Sequence, residues 1–197
     1  MSFLSLQKIE FMFFELSVAW KKLQSNKDPH HYFLIEAAFV DHEGKELCNT
    51  SADATIDNFI ENKFTKQNGF LEKVKKRRNY PIIETVWEEL TKKLEGEVLF
   101  ISFGGKIGAD LPIDYQVLQN ALDVKDYRFR DAYTIIPNEY CMFWRNGRRY
   151  RKRLGQIYRE LFSKEMERSH QAIGDALALQ KILEKLGLIQ QFLKILS

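Results

Sequence analysis

The chain has 197 residues, of which 45% are apolar and 13% aromatic. This content fills one substantial core and excludes an intrinsically disordered chain, so we expect a single domain over 1–197. The formal net charge of +3 is too small to identify a polyanionic partner by itself, and no stretch reaches the ~20 apolar residues that span a bilayer.

The first third of the chain has the pattern of three strands. Residues 8–18 are almost continuously apolar, as in a central strand. A polar break at 24–31 contains an Asp-Pro turn signal and precedes a second apolar run at 32–40. The glycine of segment 41–44 suits a hairpin turn, after which 45–50 returns as the third strand. We therefore predict a three-stranded antiparallel meander.

The middle of the chain changes to helical periodicity. One apolar helical face is formed by Ile56, Phe59, Ile60 and Phe64. A second amphipathic segment, 85–94, is closed by Gly96. An apolar run at 98–103 predicts a fourth strand, and a glycine-rich loop follows at 104–108.

The last part of the chain predicts a helix, a strand and two closing helices. The helix covers 114–122 and the strand covers 128–136. The closing helices begin at Arg149 and at about Ser169, and the second ends at Gly187. A meander followed by alternating helices and strands predicts an α/β fold with a mixed sheet and helices on both faces.

The cysteines and the N-terminus favour a cytoplasmic protein. Cys48 and Cys141 are far apart and lack the spacing of zinc ligands. The apolar run at the N-terminus is cut by Lys8, Glu10 and Glu15, and no small-residue cleavage site follows it. We expect neither a secretory signal nor a membrane partner.

The most specific motif is His170-Gln-Ala-Ile-Gly-Asp175-Ala at the start of the last helix. It resembles the third motif, His-x-Ala-x-x-Asp-Ala, of the DEDDh family of 3′–5′ exonucleases. The resemblance implies a ribonuclease H-like fold, a mixed five-stranded sheet with strands 1–3 antiparallel and the later strands parallel, flanked by helices. It also implies metal-dependent hydrolysis at the 3′ end of a single-stranded nucleic acid, DNA or RNA.

The same resemblance implies a set of site residues. Such enzymes use two divalent ions, Mg²⁺ or Mn²⁺, about 4 Å apart. His170 matches the general base, and Asp175 matches a metal ligand. Asp114 best fits the acid of the second motif, while Asp110 is the competing candidate. Each of these residues also has a purely structural alternative, such as capping a helix.

The first motif departs from the family pattern. The family carries Asp-x-Glu on the first strand, whereas here Glu15 stands at the aspartate position and Ser17 at the glutamate position. Glu15 is predicted to ligate metal, and Ser17 to contact nucleic acid instead. The loss of one carboxylate leaves the metal pair less well neutralised.

A basic stretch at 145–153 contains six cations in nine positions. Arg148, Arg149 and Arg151 are predicted to contact phosphates, with the neighbouring aromatic rings stacking on bases. A second basic run, 73–78, could extend this track. The alternative for both runs is an ordinary solvated surface.

Two functions from different classes stay open. The first is a working 3′–5′ exonuclease that uses Glu15, Asp114, Asp175 and His170. The second is a pseudo-exonuclease that binds a nucleic-acid end or a protein without cutting, and a packing scaffold is a weaker third. Many relatives of this fold pair, so a homodimer is also open.

Overall fold

The computed structural model describes most of the sheet and the helices around it. The described residues are 9–20, 32–49, 82–94, 97–104, 113–122, 124, 127–167, 171–189 and 191. The predicted helical face at 56–64, the basic run 73–78, Asp110 and His170 lie outside them. Within the described residues, no helix is long and apolar enough to cross a membrane.

Five strands form the main sheet in the order β3-β2-β1-β4-β5. Their bounds are β1 Ile9–Trp20, β2 Tyr32–Asp41, β3 Glu46–Asn49, β4 Glu97–Ser102 and β5 Arg128–Asp131. The first three strands are antiparallel neighbours, while β4 runs parallel to both β1 and β5. The long, apolar β1 therefore occupies the centre of the sheet, as a buried strand requires.

The described helices alternate with the later strands. Their bounds are α1 Ile83–Thr91, α2 Ile113–Ala121, α3 Asn138–Cys141, α4 Leu154–Phe162 and α5 Ala172–Lys185. α5 packs on β1, β2 and α4. The predicted α/β class is confirmed.

One face of the sheet carries an aromatic core. Phe100 of β4 is fully buried, stacks on Phe129 with ring centroids 5.1 Å apart, and meets Trp87 of α1 at 5.3 Å. Phe39 and Tyr127 close the same cluster at 6.2 and 5.6 Å from Phe100. Part of the high phenylalanine content of the sequence therefore lies in this buried layer.

The opposite face carries an aliphatic core beneath α4 and α5. Its buried members from the sheet and α5 include Ala38, Val40, Leu99, Ile101, Ile173, Leu179 and Leu183. Leu177 of α5 is only half-buried at the edge of this core.

The end of α5 agrees with the sequence prediction. Gly187 has a φ of +66°, the left-handed conformation that glycine adopts without a steric cost. Its N–H donates to the carbonyl of Glu184 at 2.9 Å, and Leu188 N–H donates to the carbonyl of Leu183 at 2.9 Å. These are the bonds of a Schellman termination, which satisfies otherwise unpaired helix carbonyls.

Two predicted elements are wrong between the fifth strand and α4. The strand predicted over 128–136 ends at Asp131, because the Asp131 carboxylate accepts the Tyr133 N–H at 3.0 Å and caps a 3-10 helix, Ala132–Thr134. The helix predicted from Arg149 begins only at Leu154.

The residues before α4 form a small hairpin in place of the predicted start of the helix, with β6 Met142–Arg145 and β7 Arg148–Arg151. Asn146 and Gly147 turn the chain with φ values of +51° and +69°. Positive φ at both central residues is the requirement of a two-residue type I′ hairpin, for which Asn-Gly is the strongest sequence signal.

Cys141 is buried and hydrogen-bonded, so its thiol is expected to react slowly. Its side chain is 2% exposed and donates to the Ile136 carbonyl at 3.4 Å. Burial raises the pKa of the Cys141 thiol, so less thiolate is present at pH 8. In a Cys48→Ser background, we expect a disulfide reagent to label Cys141 about 100-fold more slowly in native protein than in urea. Equal labelling rates in native and unfolded protein would contradict this burial.

Candidate active site

Buried polar side chains meet at the carboxyl ends of β4 and β5. Ser102 and Asp131 are register partners there, and both are fully buried. α2 follows β4 in the chain and carries Asp114 in its first turn. The Ser102 hydroxyl donates to Asp114 Oδ2 at 2.8 Å. The structure therefore fixes the orientation of the predicted second-motif acid against the end of β4.

Ser102 and Asp131 were not predicted from the sequence as members of this polar cluster. Both stood inside runs that were assigned to strands. The signal was available for Asp131, since an aspartate is unfavourable within a strand and typical of a helix or turn cap. Its observed contact is structural, as the cap of the 3-10 helix.

β1 brings the first-motif positions to the same end of the sheet. Phe13 is the last β1 residue paired with β4, opposite Ile101, and Glu15 follows two residues later. Glu15 is thus level with the carboxyl end of β4. On the other side of β1, Glu15 is the register partner of Ala38 and Ser17 is the register partner of Glu36. Only the backbone placement of Glu15 and Ser17 is described, and not their side chains.

α5 contributes the third predicted acid. Asp175 is half-buried in the first turn of α5, between fully buried Ala176 and buried Gly174. α5 packs across β1 and β2, so this turn belongs to the layer that covers the first-motif strand. Asp175 N–H donates to the carbonyl of Gln171 at 3.0 Å. This hydrogen bond belongs to the first turn of α5, and Gln171 directly follows the predicted general base, His170, in the sequence.

The described side chains do not complete a metal site by themselves. Among them, no group of three or more His, Cys, Asp or Glu side chains is close enough to hold an ion. The side chains of Glu15 and His170 are not part of that set. In donor chemistry the acids suit Mg²⁺ or Mn²⁺, because carboxylate oxygens are the hard ligands these ions prefer.

A further acid on β2 was not predicted from the sequence. Glu36 is fully buried, with an exposed fraction of 0%. It is the one charged residue in the otherwise uncharged run 32–40. That single charge was the available signal, because glutamate is very rarely fully buried unless it is paired, and Glu36 does have an interaction in the structure.

The β6–β7 hairpin presents cations and rings to solvent. Trp144 is 72% exposed and Tyr150 is 41% exposed. Arg148 and Arg149 are exposed, whereas Arg151 is half-buried with its guanidinium 4.2 Å from the centroid of the Tyr133 ring. The three predicted phosphate contacts therefore differ, since Arg151 is anchored to the body of the domain and the other two are freely accessible.

No protein-family profile matches the sequence, and no curated protein matches it closely enough to count as a relative. The crystal structure of the nuclease domain of 3′hExo, a DEDDh family member bound to rAMP, superposes with a TM-score of 0.59. The match covers 95% of this chain and 94% of that one, at 9% sequence identity. The chain has the fold of a DEDDh nuclease domain.

This likeness confirms at the level of fold the resemblance that the His170–Ala176 heptapeptide suggested. The coverage shows that the similarity extends across the sheet and its helices, and is not confined to one motif. At 9% identity it does not transfer the role of any single side chain. The roles must therefore be argued from the residues of this chain.

Proposed function

We propose that this protein is a 3′–5′ exonuclease that removes nucleotides from a single-stranded nucleic-acid end by two-metal hydrolysis. The observation that carries the proposal is the anchored Asp114 at the carboxyl end of β4, level with the Glu15 position of β1. Asp175 lies in the helix that covers β1. In this proposal, three acids from three separate elements meet at one end of the sheet to hold the ions.

The proposed chemistry divides between bound ions and the chain. A bound pair of Mg²⁺ or Mn²⁺ ions supplies the positive charge that orients the attacking water and stabilises the leaving oxygen. Glu15, Asp114 and Asp175 hold these ions through carboxylate oxygens. Ser102 keeps Asp114 in one rotamer, so the ligand does not reorganise when an ion arrives. His170 accepts the proton of the attacking water.

The exposed hairpin and the similar solved structure both support a nucleic-acid substrate. The 3′hExo domain is bound to rAMP, and we propose that this chain likewise holds a terminal nucleotide. Arg148 and Arg149 attract the phosphates of the incoming strand, and the exposed Trp144 and Tyr150 rings stack on its bases. Ser17 contacts the nucleic acid from the β1 side.

The proposal is tested with 5′-labelled single-stranded DNA and RNA in Mg²⁺ or Mn²⁺. We expect a ladder of products shortened from the 3′ end, which disappears when EDTA is added. A matched oligonucleotide with a blocked 3′ end should stay intact. Cleavage that begins at the 5′ end, or the same ladder in EDTA, would contradict the proposal.

The alternative function is a pseudo-exonuclease, and Ser17 is the observation that favours it. A serine at this position brings no charge to the metal pair. In the same assay, binding of the strand without shortening in either metal would support this alternative. Absence of both binding and shortening would favour a packing scaffold.

Nucleic-acid binding by the hairpin gives a second prediction. We expect the double variant Arg148→Ala and Arg149→Ala to weaken binding of a single strand and to reduce the salt dependence of binding. The slope of log K against log salt should fall by about 1.4, or ~0.7 for each lost phosphate contact. Fluorescence anisotropy across a salt series measures both quantities.

The matched control removes two cations elsewhere. Lys92 and Lys93 form an exposed pair in the turn after α1. The variant Lys92→Ala and Lys93→Ala should leave the salt slope unchanged. If both double variants lower the slope equally, binding is governed by overall charge and the hairpin has no special role.

A further inference from the structure

Side-chain stacking joins the base of the β6–β7 hairpin to the carboxyl end of β4. Phe103 directly follows Ser102, the last residue of β4, and its ring stacks on the Tyr133 ring with centroids 4.1 Å apart. The guanidinium of Arg151, on β7, lies 4.2 Å from the centroid of the same Tyr133 ring. Stacked rings and a cation over the face of a ring are both attractive contacts. Tyr133 therefore contacts both the hairpin and the end of β4.

Hydrogen bonds hold the same tyrosine against the base of the hairpin. The Tyr133 hydroxyl donates to the carbonyl of Lys152, directly after β7, at 2.5 Å. The Lys152 N–H donates in turn to the Cys141 carbonyl at 2.9 Å, and this bond closes the hairpin at its base. The Tyr133 N–H donates to Asp131, the register partner of Ser102. Tyr133 thus links the hairpin to the buried polar cluster at the end of the sheet.

The pairing of the hairpin divides its side chains between two faces. Arg149 pairs with Trp144, and Arg151 follows Arg149 by two positions on the same strand. Paired residues share a face, and so do alternate residues of one strand. Trp144, Arg149 and Arg151 therefore share one face, and Arg148 belongs to the other. Because Arg151 contacts Tyr133, the face with Trp144 and Arg149 is called the anchored face.

We propose that Tyr133 is a positioning residue, which holds the hairpin beside the carboxyl end of β4 so that the anchored face delivers a bound strand to the candidate acids. This inference rests on the proposed nuclease function and names the preferred substrate, a strand long enough to occupy the hairpin and the cleavage site together. Binding of a remote part of the substrate in a fixed place raises kcat/KM for the reacting end. A lone terminal nucleotide does not use the hairpin, so its hydrolysis does not depend on Tyr133.

Two substrates separate delivery of the strand from the chemical step. One is a long labelled single strand. The other is the p-nitrophenyl ester of thymidine or uridine 5′-monophosphate, in which water attacks phosphorus and nitrophenolate leaves in place of the rest of the strand. We expect Tyr133→Ala to lower kcat/KM for the long strand by about tenfold or more, and to leave kcat/KM for the ester within about twofold of the parent. Tyr133→Phe keeps the ring stack and should stay close to the parent on both substrates.

A second variant removes the anchor without removing the ring. Arg151→Gln deletes the cation over Tyr133 and leaves the stack of Phe103 on Tyr133 in place. It should show the same selective loss on the long strand. This variant also serves where Tyr133→Ala does not fold, which melting temperatures measure directly.

A double-mutant cycle shows whether Tyr133 acts through the hairpin. In the parent, we expect Arg149→Ala to lower kcat/KM for the long strand by about fivefold. In the Tyr133→Ala background the same change should have little further effect, because a displaced anchored face no longer delivers the strand. Arg148→Ala is the matched control, since it removes the neighbouring cation from the opposite face. Its effect should be the same in both backgrounds.

The outcomes distinguish this inference from the function on which it rests. Phe162→Ala deletes a half-buried ring that contacts Tyr158 at the end of α4, and it should not discriminate between the two substrates. If Tyr133→Ala slows strand and ester by the same factor, or if its effect and that of Arg149→Ala are additive, Tyr133 serves packing alone. The inference is then overturned and the nuclease proposal stands. If the parent protein hydrolyses neither substrate, both proposals are overturned.

Discussion

Replacement of His170 by alanine is expected to slow 3′ shortening by about 10²–10⁴-fold, the usual contribution of a positioned general base. Mn²⁺ affinity and strand binding should stay unchanged, because an imidazole that receives a proton is not needed to hold an ion. Single-turnover rates on a labelled strand measure the loss.

Two comparison variants make the His170 result specific. Asp175→Asn should abolish shortening together with ion affinity, since it removes a ligand and not a base. His42→Ala removes an exposed histidine in the turn between β2 and β3 and should leave the rate unchanged. A His170→Ala enzyme with the parent rate would remove the general base from the proposed mechanism, whatever happened to the ions.

The strand pattern of the first third was predictable because it depends on local chemistry. Continuous apolarity indicated the central β1, and the Asp41–Gly44 turn was recognised from its composition. In the structure the Asp41 carboxylate accepts the N–H groups of Glu43 and Lys45 at 3.0 and 2.8 Å, which holds the turn closed. These hydrogen bonds join residues only two to four positions apart, so the local sequence is sufficient to predict the turn.

The β6–β7 hairpin was not predicted, although its turn carries a local sequence signal. Asn146-Gly147 is a strong indicator of a two-residue turn, whereas the sequence analysis predicted a helix that begins at Arg149. In the structure Phe143 and Tyr150 are cross-strand partners with ring centroids 5.6 Å apart.

The candidate site was only partly predictable because its assembly depends on register. The motif around Asp175 and the position of Asp114 could be read locally. The pairing of Ser17 with Glu36 could not, because the β-bulge after Ser17 and the length of the connection decide which residues meet. The hydrogen bond from Ser102 to Asp114 likewise joins β4 to α2, through two residues that are 12 positions apart in sequence.

The largest effect on stability is expected from Phe100→Ala. Phe100 is fully buried and contacts aromatic rings from β2, α1 and β5. Truncation leaves a cavity that these rigid rings cannot easily fill, so the free energy of unfolding should fall by about 3–5 kcal/mol. Urea unfolding followed by circular dichroism measures this loss.

Trp144→Ala is the matched control for Phe100→Ala, because it deletes an aromatic ring that is 72% exposed. Its effect on the free energy of unfolding should stay within about 0.5 kcal/mol.

The same two variants should differ in the opposite direction when strand binding is measured. Trp144→Ala should weaken binding by about 1–3 kcal/mol through lost base stacking. Phe100→Ala, assayed where it is still folded, should bind normally, since its ring belongs to the layer beneath α1 and not to the hairpin. If Trp144→Ala binds as the parent does, the exposed ring serves no nucleic-acid contact, and the strand must approach the acids by another route.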